Sequence, residues 1–200
     1  MDGFQRRTEQ KKDDILRAAK ALFKTYGFSK VSVADIAREA HVSHVTIYNY
    51  FGNKDSLVRD IIKTIMTDIV TQSNELVKSD IPFLEKLDGI ISGKVQTAGY
   101  YQGELALMVR GNPELRSYLD DLWEHEVNTI LQRLLEEGQA GGYISRDISL
   151  ESVLLFNRII RAWVYALDAD LRKLKGDLNL VRGLNHLFIF GLVDKIPSPD

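Results

Sequence analysis

Apolar positions recur along this chain at helical spacing, and no alternating strand pattern bounded by turn residues interrupts them. Ile15, Ala18, Ala19, Leu22 and Phe23 fall at i, i+3, i+4, i+7 and i+8, one stripe of a helix predicted over about residues 8–26 and capped by Gly27. Ser32 with Asp35 is close to a capping box and opens a second helix, whose Val33, Ile36 and Ala37 face inward and which ends at Ala40. His41 and Val42 make a tight turn, and Ser43 caps a third helix that buries Ile47 and Phe51. Asn53 caps a fourth, reaching about residue 78, with Leu57, Ile61, Ile65, Ile69 and Leu76 on its buried side.

The remainder reads the same way. Pro82 is placed to start a fifth helix carrying Leu84, Leu87, Ile90 and Ile91, and a shorter helix follows over about 100–110. Gly111-Asn112-Pro113 breaks the chain. A long amphipathic helix then runs over about 113–138, its seam formed by Leu119, Leu122, Val127, Ile130 and Leu134. Helices over about 150–173 and 177–195 complete the prediction. The fold class is all-α: an N-terminal three-helix helix-turn-helix domain followed by a C-terminal helical domain.

Composition changes this picture little. A hydrophobic share of 44% and a charged share of 27% are ordinary for a globular chain of 200 residues. There is no cysteine, which excludes disulfides and thiolate metal sites and suits a reducing compartment. No apolar run approaches the roughly 18–20 residues of a membrane span, and the N-terminal Met-Asp-Gly-Phe-Gln-Arg-Arg lacks the apolar stretch of a secretion signal. A cytoplasmic location is therefore expected.

Charge is more informative. Residues 1–54 hold ten Lys/Arg against six Asp/Glu, a net +4 that leaves −6 on the rest of a chain whose total is −2. A basic end on an acidic body points to a polyanion met by one end only. The third helix supplies matching chemistry. With Ile47 and Phe51 turned inward, His44, Val45, Thr46, Tyr48, Asn49 and Tyr50 are left for its other faces. The hydroxyls of Thr46, Tyr48 and Tyr50 can donate to phosphate oxygens. His44 can hydrogen-bond a base edge, and Val45 can touch a thymine methyl. Lys54 opens the fourth helix, where the helix dipole and its own charge both attract phosphate. Arg6 and Arg7 precede the first helix, either as an arm reaching a phosphate or the minor groove or as a solvated tail.

Residues 9–69 resemble the N-terminal domain of TetR-family transcriptional regulators. The likeness rests on Ala18-Ala19, Leu22-Phe23, Gly27-Phe28 and Ser32-Val33-Ala34-Asp35-Ile36-Ala37. It continues through Val42-Ser43, Thr46-Ile47-Tyr48, Tyr50-Phe51 and Asn53-Lys54-Asp55-Ser56-Leu57. The resemblance implies phosphate contacts from Ser32, Thr46, Tyr48 and Lys54, and His44, Val45 and Tyr50 at or near base edges. Ser43, at the mouth of the same helix, belongs to the expected DNA-binding set. The expected division is 9–69 for DNA binding, with the helix-turn-helix at about 32–51, and 70–200 for ligand binding and dimerisation. His41 stands where the family usually carries glycine, a position that often needs positive φ; histidine is among the tolerated exceptions.

Apolar residues cover nearly the whole circumference of 153–167, so that helix must be buried on two sides. Gly183 and Gly191 punctuate the last helix and allow another helix to come close. Both helices are expected to pair with their copies in a twofold homodimer, presenting two recognition helices roughly 34–36 Å apart. The resemblance also implies a small-molecule effector pocket, with Tyr101, Met108, Trp123, Asn157 and Arg161 as candidate lining. Asn157 and Arg161 interrupt an apolar helix and could equally serve internal ion pairs or dimer contacts. No carboxylate cluster, catalytic triad or Gly-rich phosphate loop is present, and His125 and His186 lack neighbours at metal-ligand spacing. Neither enzymatic activity, metal nor cofactor is expected. The expected function is a sequence-specific DNA-binding transcriptional regulator, a dimeric repressor released from its operator by a small molecule. The alternative is a ligand-independent DNA-binding or architectural protein acting through a protein partner.

Overall fold

A computed structural model of the chain describes the backbone of residues 3–101, 108–166 and 183, and the side chains of 5–90, 92–93, 108–162 and 183. Helices dominate, and no extended strand occurs among the described residues. They are α1 (Gly3–Tyr26), α2 (Val33–Glu39), α3 (His44–Phe51), α4 (Lys54–Lys78), α5 (Phe83–Tyr101), α6 (Pro113–Leu122), α7 (Asn128–Ala140) and α8 (Leu150–Ala166). A π-helical segment, Trp123–Val127, joins α6 to α7. The chain divides into two compact units, 1–67 and 68–200, and α4 is continuous across the boundary.

The first unit is built on the predicted stripes. Ile15, Ala18, Ala19 and Phe23 of α1 are buried, together with Val33, Ile36 and Ala37 of α2 and Ile47 and Phe51 of α3. Leu57, Val58, Ile61, Ile62 and Ile65 of α4 close this core. Phe23 and Phe28 meet with ring centroids 4.5 Å apart. One boundary differs from the sequence expectation. α1 begins at Gly3, so Arg6 and Arg7 lie within the helix rather than ahead of it. Arginine, glutamine, glutamate and lysine dominate residues 5–12, and all favour helix, so nothing stops it there.

The second unit gathers Val70, Val77, Phe83, Ile90, Ile130, Leu134, Leu135, Ile144 and Val153. Along α4 the expected Ile69 and Leu76 are only half-buried; Val70 and Val77, seven apart, take the core positions instead. Lys86 is buried among these apolar groups. Its ammonium donates to the Val77 carbonyl at 3.1 Å and to both Glu137 carboxylate oxygens at 2.8 and 2.9 Å. That satisfies its three protons and joins the end of α4, α5 and α7. Tyr100 and Tyr101 end α5 instead of starting the expected 100–110 helix, of which residues 108–110 are helical. The helix expected over 150–173 is described as far as Ala166, and the one over 177–195 lies outside the described residues apart from Gly183.

The expected unbroken helix over 113–138 is interrupted. The Asn128 N–H bonds to the Trp123 carbonyl five residues back, the signature of a π turn. The seam explains why. Its members are spaced by three or four residues except at Leu122 to Val127, a gap of five that would carry Val127 well off the stripe of a regular α-helix. One wider turn returns it to the same side, and both residues pack against the core.

Candidate nucleic-acid interface

α1 packs on α2, and α2 packs on α3. The turn between α2 and α3 is fixed by backbone hydrogen bonds. Val42 N–H reaches the Ala37 carbonyl at 2.9 Å and His41 N–H the Arg38 carbonyl at 3.3 Å. This is a Schellman closure, and it places His41 at φ +54°, in the left-handed region.

Both helices are capped by serine. Ser32 Oγ accepts from Asp35 N–H at 3.2 Å and donates to the Asp35 carboxylate at 2.6 Å, while the same carboxylate accepts from Ser32 N–H at 3.1 Å. Arg38 adds a 2.6 Å bond. The Ser32 hydroxyl, the Ser32 N–H and then Arg38 hold Asp35 at about 2, below its ordinary 3.8. Ser43 Oγ accepts from Thr46 N–H at 3.0 Å and lies 2.8 Å from the Thr46 hydroxyl. At the far end Gly52 takes φ +76° and donates its N–H to the Tyr48 carbonyl at 2.8 Å, turning the chain sharply toward α4. Asn53 Oδ1 then caps α4 through Ser56 N–H at 2.8 Å.

These caps leave α3 with two distinct sides. Ile47 and Phe51 are buried; Lys12 of α1 lies 5.4 Å from the Phe51 ring centroid and 3.6 Å from Asp60 of α4, steadying this inner side. Outward, His44, Val45, Tyr48 and Asn49 are exposed, Val45 at 66% and Tyr48 at 46%. They stand at i, i+1, i+4 and i+5, a contiguous face. Thr46 and Tyr50 are half-buried at its flanks, Lys54 is exposed at the start of α4, and Ser32 and Ser43 are exposed at the caps. Asn49 is the residue that the sequence expectation left out of the set. Its position four after Val45 was the available signal, and its amide suits an adenine edge.

The candidate effector residues lie in the second unit. Met108 and Asn157 are half-buried, and Tyr101 ends α5 with its side chain outside the described residues. Trp123 and Arg161 are brought together, the guanidinium carbon 5.8 Å from the ring centroid. Arg161 also pairs with Asp120 and Glu124, so the internal ion pairs considered from sequence do form. Among the described residues no group of His, Cys, Asp or Glu could hold a metal ion, and no helix is long and apolar enough to cross a membrane.

Comparison with known proteins extends this geometry. Residues 15–61 match the family model for bacterial regulatory proteins of the tetR family. The fatty acid metabolism regulator protein of Bacillus subtilis (strain 168) is 30% identical over 162 residues, 75% of this chain and 81% of that protein. The HTH-type transcriptional repressor KstR2 of Rhodococcus jostii (strain RHA1) is 26% identical over 161 residues, 77% of each chain. The solved structure of the transcriptional regulator FadR from Bacillus subtilis, in complex with stearoyl-CoA, is 25% identical with a TM-score of 0.56, covering 90% of this chain and 98% of that one. These relatives are transcriptional regulators rather than enzymes. The helix-turn-helix and the helical unit that follows it therefore define a DNA-binding transcriptional regulator. The chain belongs to the TetR family of bacterial regulatory proteins.

Proposed function

We propose that this regulator is a cytoplasmic dimeric repressor, released from its operator by a small-molecule ligand. The observation that carries the DNA-reading part is the exposed face of α3, backed by the buried Ile47 and Phe51. In this reading residues 9–69 bind DNA and 70–200 bind the effector and the second copy. His44, Val45 and Tyr50 meet base edges, and Asn49 joins them. Thr46, Tyr48 and Lys54 hold phosphates. Ser32 can add a phosphate contact by releasing the hydroxyl hydrogen now given to Asp35, and Ser43, whose hydroxyl oxygen accepts from Thr46 N–H, by turning its own hydrogen outward.

The dimer rests on the helices expected over 150–173 and 177–195. Leu155, Phe156, Ile159 and Ile160 of α8 are 40–55% exposed in the single chain, an apolar face that a second copy would cover. A Cβ added at Gly183 would meet nothing within 4 Å, which leaves room for a neighbouring helix. For the effector, Trp123, Asn157 and Arg161 remain the candidates, with Tyr101 and Met108. The solved relative holds stearoyl-CoA, which makes an acyl thioester the first compound to try. The ligand acts by its differential affinity for operator-fitting and operator-misfitting arrangements.

The test is anisotropy of a labelled operator fragment, selected from random duplexes, against protein and variants. Tyr48→Phe and Lys54→Ala should weaken binding to every sequence, Lys54→Ala lowering the salt slope by about one unit. His44→Ala should relax sequence preference. If all three bind as the parent does, α3 is not the reader. Thermal stabilisation by a compound that also releases the operator supports the repressor; no such compound across a diverse set favours the ligand-independent alternative.

A further inference from the structure

We infer that Trp123 and Arg161 form a recognition point for a neutral carbonyl oxygen of the effector. This rests on the ligand-responsive reading above and specifies the chemistry of its site.

Two buried donors carry the inference. Trp123 Nε1 and Arg161 Nη1 are both shielded from solvent, and neither has a hydrogen-bond partner among the described residues. They belong to side chains already in contact across the π segment and α8. Buried donors are nearly always satisfied, so two orphans on one contact mark a place built for an acceptor from outside the chain. The Arg161 side chain is 14% exposed. Its Nη1 lies 3.4 Å from the Asp120 carboxylate without the alignment of a hydrogen bond, and its Nη2 lies 3.9 Å from Glu124. Both separations exceed the roughly 2.7–2.9 Å of a charge-assisted bond. The carboxylates hold the guanidinium in place without using up its donor capacity.

The charge count selects the kind of acceptor. Asp120 and Glu124 face Arg161 and Arg158, the latter 3.6 Å from Glu124. Two negative and two positive groups balance. A carboxylate entering here would leave a surplus negative charge beside Asp120, whereas a ketone, ester, amide or thioester carbonyl accepts hydrogen bonds and adds no charge. The π turn is part of the device: it sets Trp123 in a wider loop of backbone, a form frequent at functional sites.

Matched ligand pairs differing only at the carbonyl test this on the full-length protein. Stearoyl-CoA is compared with its S-octadecyl thioether, and methyl decanoate with decyl methyl ether, by calorimetry and by release of operator DNA. Decanoate serves as the charged comparator. The carbonyl member of at least one pair should bind about fivefold to tenfold more tightly than its partner, and the ester more tightly than decanoate. Trp123→Phe, which keeps an aromatic ring but removes the indole N–H, should erase most of that advantage while changing binding of the ether or thioether far less. Arg161→Lys should do the same, which guards against an effect peculiar to the indole. Equal binding within pairs, or an equal loss for both members in the variants, overturns the carbonyl site while operator release still upholds the ligand-responsive reading. Failure of every compound to bind overturns the carbonyl site, while the ligand-responsive reading is then decided by the diverse compound set.

Discussion

At the scale of single residues, Asp35 and His41 show how the helix-turn-helix is held. The Asp35 carboxylate lies at about 2 in the folded chain, against 3.8 ordinarily, because Ser32 and Arg38 favour its charged form. A depressed carboxylate stabilises the fold fully above its unfolded value and loses that contribution as pH falls through the folded one. Urea unfolding between pH 4.5 and 2 should therefore show a stability decline that Asp35→Asn reduces by at most about one proton of slope. An unchanged slope in the variant would remove Asp35 from the acid response. His41 sits at φ +54°, where a side chain crowds the backbone. Glycine there should raise stability by about 0.5–1 kcal/mol, read as a higher Tm, with operator affinity unchanged. A clear drop in Tm would show that the imidazole stabilises more than its backbone costs.

Among elements, α7 and its loop show close packing that no periodic pattern reveals. A Cβ on Gly138 would stand 2.5 Å from Ile144 Cδ1 and 2.7 Å from Phe83 Cζ, so Gly138→Ala should cost about 1–3 kcal/mol and shift the urea midpoint accordingly. A neutral result would mean that Phe83 and Ile144 shift aside freely. The contrast with α2 and α3 explains what could be read in advance. Their caps join residues three apart, Ser32 with Asp35 and Ser43 with Thr46, and the buried pair Ile47 and Phe51 is four apart, so a short stretch of sequence holds the whole pattern. The burial of Lys86 depends on Glu137, 51 residues away, and nothing local announces it. The π segment was visible only as a five-residue gap between Leu122 and Val127, which resembles an irregularity until the core on both sides is known. Pairing of Trp123 with Arg161 likewise needs α8 folded against the π segment. Asn49 shares the exposed face with Val45 by its spacing of four, a relation that local sequence already carries.

For the whole molecule, the apolar face of α8 is the feature on which the proposed dimer turns. Ile159 is 55% exposed in the single chain. If a second copy covers it, Ile159→Asp should give a monomer by sedimentation while each chain stays folded, and should lower operator affinity by about a hundredfold or more as the paired contacts are lost. A dimer that survives this change would move the interface elsewhere. With Leu155, Phe156, Ile159 and Ile160 uncovered until a partner arrives, occupancy of the regulated site would climb with roughly the square of the protein's abundance when copies are few. A cell that halves its supply would then lose far more than half of the repression proposed for this regulator.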